Sequence, residues 1–386
     1  MENKENLMYK IMTTSLIMTS MLMTTFKNWM ILYITMELLT MTTLLLMSLN
    51  SKNAQSKEGS MKYLMLSAIS STMLITGMLL TSYQHNSQNM MLKTLLSSNN
   101  NMMLTMILFK LGSAPFHIWV TDMYEATKTM NLPLIILIPK MAIISTLMTF
   151  ETSNNILLMS GILSTTMGAM GAMNQKKMKR LLAYSSINNM GIMIMGLHMY
   201  TLPSMQAIMM HMMIYTTTLT IMLMTLHHTY YKKQLTSETF QNDKSNHTHK
   251  IIISTLLLSL SGLPPFPGFL SKWLIMSSTM KQQLMLTSTW MLMTNIPSTA
   301  YYLYTMMYSY FKTIMSTTKT MTENNMNNNN KYKMAILTFP ILSTLIHPQL
   351  MLMPTWTVST KMMNVPSNNK SPNNKIYINT HTQSKN

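Results

Sequence analysis

The chain has 386 residues, 47% of them hydrophobic and 10% charged, with a formal net charge of +18, 54 methionines and no cysteine. Soluble domains carry about 25% charged residues, so this composition excludes an ordinary soluble enzyme, and the lack of cysteine excludes disulfides and thiolate metal sites. The basic residues are scattered between apolar blocks without an aromatic-lined groove, which argues against nucleic acid as a partner. The methionines read as flexible apolar helix residues and not as copper ligands.

Roughly twenty apolar residues cross a bilayer as a helix. Blocks of that kind recur along the chain and predict an all-α, polytopic membrane protein of about 11 transmembrane helices. The passages are placed at 9–26, 29–49, 62–83, 100–121, 131–150, 154–173, 181–200, 205–229, 251–280, 283–311 and 333–353. Residues 1–8 form a short N-terminal extension, 9–353 the transmembrane domain, and 354–386 a polar tail rich in Asn, Ser and Lys. With the N-terminus on the charge-retaining side, that face receives 18 basic residues and the other face 7. Lysine asymmetry of this kind orients membrane helices. The densest basic run, Lys176, Lys177, Lys179 and Arg180, is expected to anchor a loop on that face, with cardiolipin as an alternative partner.

Two passages carry helix-breaking residues in their middle. The first contains Gly112 and Pro115; the second contains Gly262, Pro264, Pro265 and Gly268. Residues 251–261 alone would span about 16 Å at 1.5 Å per residue, too short to cross, so one interrupted passage is expected there. Interrupted helices persist in lipid only where protein or water satisfies the loosened peptide groups, and paired breaks in two halves of a chain mark transport proteins.

Four ionisable residues fall inside the apolar layer: Glu37, Lys110, Lys140 and Lys272. Placing such groups in hydrocarbon is costly, so they are read as facing the bundle interior and marking a proton or ion path; the plain alternative is snorkelling from a helix end or a structural ion pair. Changing the separation of Glu37 from Lys110 or Lys140 would change proton occupancy, and coupled titration would pass that change along a row of lysines. His117 is equally readable as a proton relay or a hydrogen-bonded helix-end residue, Tyr184 as packing, and His198 and His211 as local residues. Asp122 and Glu125 are expected at the membrane surface.

The ordered set of motifs carries a resemblance. It runs through Met36-Glu37, Met61-Lys62-Tyr63, Lys110-Leu111-Gly112-Ser113-Ala114-Pro115-Phe116-His117-Ile118-Trp119, Pro139-Lys140 and Gly171-Ala172-Met173-Asn174-Gln175. It continues through Leu182-Ala183-Tyr184-Ser185-Ser186 and Gly262-Leu263-Pro264-Pro265-Phe266-Pro267-Gly268-Phe269-Leu270-Ser271-Lys272-Trp273. Together these segments resemble the antiporter-like membrane subunits of NADH:ubiquinone oxidoreductase, respiratory complex I, in the chain 2 family of animal mitochondria.

The resemblance implies inverted five-helix repeats, each with one discontinuous helix. It implies a proton path through Glu37, Lys110, Lys140 and Lys272 in a mitochondrial inner-membrane subunit. It also implies no cofactor in this chain, since FMN, iron–sulfur clusters, NADH and ubiquinone would be handled elsewhere in the assembly. The expected partners are other membrane-arm and accessory subunits and phospholipids. A standalone cation/proton antiporter and a purely structural scaffold are the competing functions.

Overall fold

The computed structural model describes residues 2–26, 28–49, 54–85, 101–149, 155–229, 247–264 and 266–317. Pro265, the passage expected at 333–353 and the tail at 354–386 lie outside them. Every regular element among the described residues is helical. In chain order these are α1 (Glu2–Thr25), α2 (Trp29–Leu49), α3 (Ala54–His85), α4 (Asn101–Leu111) and α5 (Ile118–Ala126). A π-helical turn, Pro133–Leu137, then runs directly into α6 (Ile138–Thr149). They continue as α7 (Asn155–Met173), α8 (Met178–His198), α9 (Leu202–Thr229), α10 (His247–Ser261), α11 (Pro267–Lys281) and α12 (Met285–Thr317).

Eleven passages are expected from the sequence; four of the described helices are both long and apolar enough to cross a membrane unaided. These spans are Met30–Leu49, Ser56–Leu79, Asn155–Met173 and Leu202–His227. Asn101–Leu111, Pro133–Met148 and Ile252–Ser261 are apolar but shorter. Part of the difference has a physical cause: interrupted passages divide into half-helices and α8 carries polar residues that face protein, while α1 and α12 are long enough but not apolar enough. The outer faces are nevertheless apolar. On α2, Leu32, Met36, Leu39 and Leu46 are buried, while Met30, Ile34, Leu38, Met41 and Leu45 are exposed. A helix apolar on both faces, with its outer one uncovered, suits lipid and not water.

The core centres on α8, whose residues from Leu181 to Leu197 are almost all buried. It packs against α5, α7, α9, α11 and α12. Small residues set the close approach to α7: a Cβ at Gly168 would overlap the Asn188 backbone, and one at Gly191 would overlap Thr165.

Both expected breaks are present, and both begin at a glycine in the left-handed region that side chains avoid: Gly112 at φ +77° and Gly262 at φ +79°. Beyond Gly112, the Ser113 N–H and hydroxyl both donate to the Leu108 carbonyl, at 3.2 and 3.0 Å. Gly262 N–H donates to Ser259 O at 3.2 Å, and Pro267 opens α11 at a first-turn position where its missing N–H costs nothing. The π-helical turn ahead of Lys140 was not expected from the sequence, which reads 131–150 as one plain passage.

The basic run meets α5 from the start of α8. Arg180 grips Glu125 with two contacts, Nε to Oε1 at 2.7 Å and Nη2 to Oε2 at 2.8 Å, and Lys177 Nζ adds a third at 3.0 Å. Lys179 Nζ donates to the Thr127 carbonyl at 2.7 Å, at the C-terminal end of α5 where cations are favoured. Three of the four basic residues thus fasten the lower half of a broken passage. Burial would push the Glu125 carboxyl up, but the hydrogen bonds and charges of Arg180 and Lys177 outweigh it and hold the group below its ordinary range.

A depressed carboxylate contributes stability above its unfolded-state value and loses that contribution as pH falls through the native one. Glu125→Gln is therefore expected to lower the thermal midpoint at neutral pH and to match the parent protein in acid. The effect should be about 1 kcal/mol or less, since Arg180 and Lys177 keep solvent contact. Melting curves across pH check this, and a pH-independent difference would refute it.

Candidate functional site

The charged residues inside the bundle are each stabilised differently. Lys110, in the last turn of α4, reaches across to α2, where its Nζ donates to Glu37 Oε1 at 2.9 Å. The lysine side chain is 5% exposed and the glutamate 24%, so the pair is desolvated at its cationic end. Lys140, buried on α6, has no carboxylate in ion-pair contact among the described residues, and its Nζ donates to Ser186 Oγ on α8 at 3.2 Å. The Ser186 hydroxyl hydrogen goes to Ala183 O at 2.7 Å, which leaves its oxygen free to accept from the lysine.

Lys110 and Lys140 line one cavity of about 40 Å³ together with Thr40, Tyr63, Ser67 and Ser70. A water needs about 10–15 Å³ of such space, so this cavity beside both lysines has room for water, although apolar side chains make up most of its wall. Glu37, Lys110 and Lys140 are therefore brought together, although they stand on three separate helices.

Lys272 lies apart, on α11. Its Nζ donates to the carbonyls of Ser261 at 3.2 Å and Leu260 at 3.4 Å, the last two residues of α10. Helix C-terminal carbonyls lack intrahelical partners and carry the negative end of the helix dipole. The break therefore solvates a buried cation with backbone where, among the described residues, no acid is in ion-pair contact. A Cβ at Gly262 would come 3.3 Å from that ammonium, so the same glycine turns the chain and keeps room for the lysine.

His117 sits at the N-cap of α5, inside the first break. Its Nδ1 is 3.2 Å from the Pro115 carbonyl, which fixes that nitrogen as the donor, and its ring centroid is 6.4 Å from that of Tyr184. It does not line the cavity shared by Lys110 and Lys140.

Sequence reasoning passed over Ser186 and took His211 as a local residue. In the structure His211, buried on α9, places Nδ1 2.8 Å from Ser271 Oγ, beside Lys272. A signal for the first was available: Ser185, Ser186, Asn188 and Asn189 form a polar stretch inside an otherwise apolar helix. None marks His211, since one histidine in an apolar run is uninformative. Among the described residues, no group of three or more His, Asp or Glu is arranged to hold a metal.

Residues 27–298 match the family described as NADH:quinone oxidoreductase/Mrp antiporter, transmembrane part. The chain belongs to that family. Two relatives are "NADH-ubiquinone oxidoreductase chain 2" proteins. The one from Metridium senile is 29% identical over 309 residues, covering 76% of this chain and 80% of the relative. The one from Anopheles gambiae is 30% identical over 302 residues, covering 78% and 85%. Among solved structures, a chain of respiratory complex I from Thermus thermophilus superposes with a TM-score of 0.73 at 20% identity, over 90% of this chain and 79% of that one. As a member of this antiporter-type family, the chain is a polytopic all-α membrane protein with discontinuous helices.

Proposed function

We propose that the chain is a membrane-arm subunit, of the chain 2 type, in a proton-translocating NADH:ubiquinone oxidoreductase. The observation that carries this reading is the file of charges from Glu37 to Lys110 and, across one shared cavity, to Lys140. Lys272 at the second helix break gives that file a counterpart in the other half. Similarity to the chain 2 proteins of two animals supports the assignment. In this reading residues 9–353 form about eleven passages arranged as two inverted repeats in the mitochondrial inner membrane. The N-terminus faces the matrix, and the 354–386 tail faces the intermembrane space. Other membrane-arm and accessory subunits and phospholipids surround the chain. Electron transfer through FMN and iron–sulfur clusters, from NADH to ubiquinone, belongs to partner subunits.

The chemistry this chain contributes is proton occupancy. Glu37 favours a proton on Lys110, and two ammonium groups facing one low-dielectric cavity repel, so charge at Lys110 hinders charge at Lys140. Drawing Glu37 away removes the counter-charge and drives a proton from Lys110 toward the cavity that Lys140 also lines. A conformational or electrostatic pulse from quinone reduction could thus act on this chain without any electron entering it.

The test uses the intact assembly in sealed vesicles, with protons moved per electron as the readout. Lys140→Met and Lys272→Met are each expected to lower that ratio while uncoupled NADH oxidation continues. An unchanged ratio in both variants would make the chain a scaffold. Cation/proton exchange by the purified chain alone, with no redox partner, would make it a standalone antiporter.

A further inference from the structure

The first helix break also shapes the outer surface of the bundle. Where α4 stops at Leu111 and α5 resumes at Ile118, an open groove of about 600 Å³ lies against α3. Along α3 it runs from Glu58 to Leu66, about 12 Å at 1.5 Å per residue. Small-molecule sites occupy roughly 300–1,000 Å³, so the groove has the size of a binding site.

Its two ends differ in chemistry. One carries Glu58, Lys62 and Asp122; the Lys62 ammonium lies 2.9 Å from Glu58 Oε1 and donates to Asp122 Oδ2 at 3.3 Å. All three side chains are partly exposed, and Glu58 and Lys62 stand in the first turns of the membrane-crossing segment Ser56–Leu79, which puts this end at the bilayer surface. One turn further along α3 the wall becomes Met65 and Leu66, faced by Phe109, Phe116 and Ile118. Phe109 and Phe116 stand on either side of the break with ring centroids 4.9 Å apart. A slot with charge at the membrane surface and apolar walls below it matches the headgroup and acyl chain of a phospholipid.

The charged end selects the headgroup. Glu58 and Asp122 outnumber Lys62, and the basic Lys177 and Arg180 are engaged by Glu125, so the groove mouth is negative. An anionic headgroup such as that of cardiolipin meets repulsion there. A zwitterionic one fits, with its phosphate on Lys62 and its amine on the carboxylates. A carboxylate offers about four acceptor positions and an ammonium three donors, so Glu58 and Asp122 can each bond a primary amine while keeping Lys62. The quaternary amine of choline has no N–H to give them.

Trp119 forms part of the same wall, and its indole nitrogen is buried with no protein acceptor among the described residues. A Trp at a membrane interface keeps its ring in the apolar layer and its N–H toward a polar acceptor. The ester carbonyl between headgroup and chain is the acceptor a phospholipid supplies at that depth. Leu66, Phe109 and Trp119 also line the cavity beside Lys110 and Lys140, so a chain lying in the groove backs the wall between those lysines and the bilayer.

We propose that the groove between α3 and the first helix break binds a zwitterionic phospholipid with a primary-amine headgroup, of the phosphatidylethanolamine class. Its amine lies on Glu58 and Asp122, its phosphate on Lys62, and one acyl chain along Met65, Phe109 and Phe116. The assignment stands on the shape and charge of the outer surface and is independent of how the chain handles protons.

The experiment incubates the intact assembly with photoreactive lipids that share one diazirine-bearing acyl chain and differ in headgroup: phosphatidylethanolamine, phosphatidylcholine and cardiolipin. Labelled peptides of this chain are mapped by mass spectrometry. Segments 58–66 and 109–119 are expected to take several-fold more label from the ethanolamine probe than from the other two. Glu58→Gln with Asp122→Asn leaves Lys62 as the charge at the mouth, so the preference should pass to the cardiolipin probe while NADH oxidation continues. An ethanolamine preference that survives this double change would overturn the assigned headgroup contacts. On the parent assembly, equal labelling by all probes would reduce the groove to bulk lipid contact, and a cardiolipin preference would reverse the charge argument. Absence of label would mean that a neighbouring subunit fills the groove. Each of these three results overturns the proposal, and all are read on the parent, whether or not the double variant assembles.

Discussion

Glu37→Gln is expected to be among the most damaging single changes in the chain, because it takes the counter-charge from an ammonium group that has almost no contact with solvent. Lys110 is 5% exposed on its side chain and its Nζ is 2.9 Å from Glu37 Oε1. Breaking a buried pair by removing one member costs about 3–5 kcal/mol, since the remaining charge must be carried unpaired or shed its proton. Lys110→Met should cost less, because Glu37 is 24% exposed and keeps some solvation of its own. The double variant Glu37→Gln with Lys110→Met should recover stability relative to Glu37→Gln alone, as the stranded charge is then gone, yet it should not recover proton translocation. A double-mutant cycle on thermal stability, with protons per electron measured alongside, separates the two effects. Additive stability losses would show that the pair has no energetic coupling, and the assigned role of Glu37 would fall with it.

Gly268→Ala is the second large effect. A Cβ at this position would collide with the Ser259 carbonyl oxygen, a backbone atom near the end of α10 that cannot swing aside. Gly268 lies in the first turn of α11, one helical turn ahead of Lys272. Relief of the overlap must move α11 away from α10, and with it the lysine from the Leu260 and Ser261 carbonyls that solvate it. Overpacking of this kind costs about 1–3 kcal/mol and more where backbone is the obstacle. The expected outcome is a reduced yield of assembled complex, with residual complex that oxidises NADH but pumps poorly. Gly77→Ala is the milder comparison: its Cβ would stop 3.1 Å from the Met103 side chain, a contact that needs a shift of only a few tenths of an ångström. Equal yields for the two variants would contradict the close-contact account of the second break.

Much of this arrangement follows from residue chemistry that acts locally. Gly112 with Pro115, and Gly262 with Pro264 and Pro267, interrupt their passages because a left-handed glycine ends a helix and a proline just beyond it lacks the N–H to resume one; the structure places both breaks where those residues stand. The lysines were equally legible, since a charge in an apolar run is conspicuous at any resolution of reading. The number of passages was less so. Hydropathy averages a helix around its whole circumference, and α8, with Ser185, Ser186, Asn188 and Asn189 buried against its neighbours, reads weaker than its central position warrants.

What sequence alone determined, then, is where the two helices are interrupted and which side chains in apolar stretches carry charge, because those properties belong to single residues and their immediate neighbours. Tertiary structure alone decided which of them meet. Lys110 finds Glu37 across 73 positions of sequence, Lys140 finds Ser186 across 46, and Lys272 finds backbone carbonyls in place of an acid. Lys62 of α3 and Asp122 of α5, which look like ordinary surface charges, meet across 60 positions. The direction in which a helix points its polar atoms is fixed by the packing of every helix around it, and no local pattern encodes that sum.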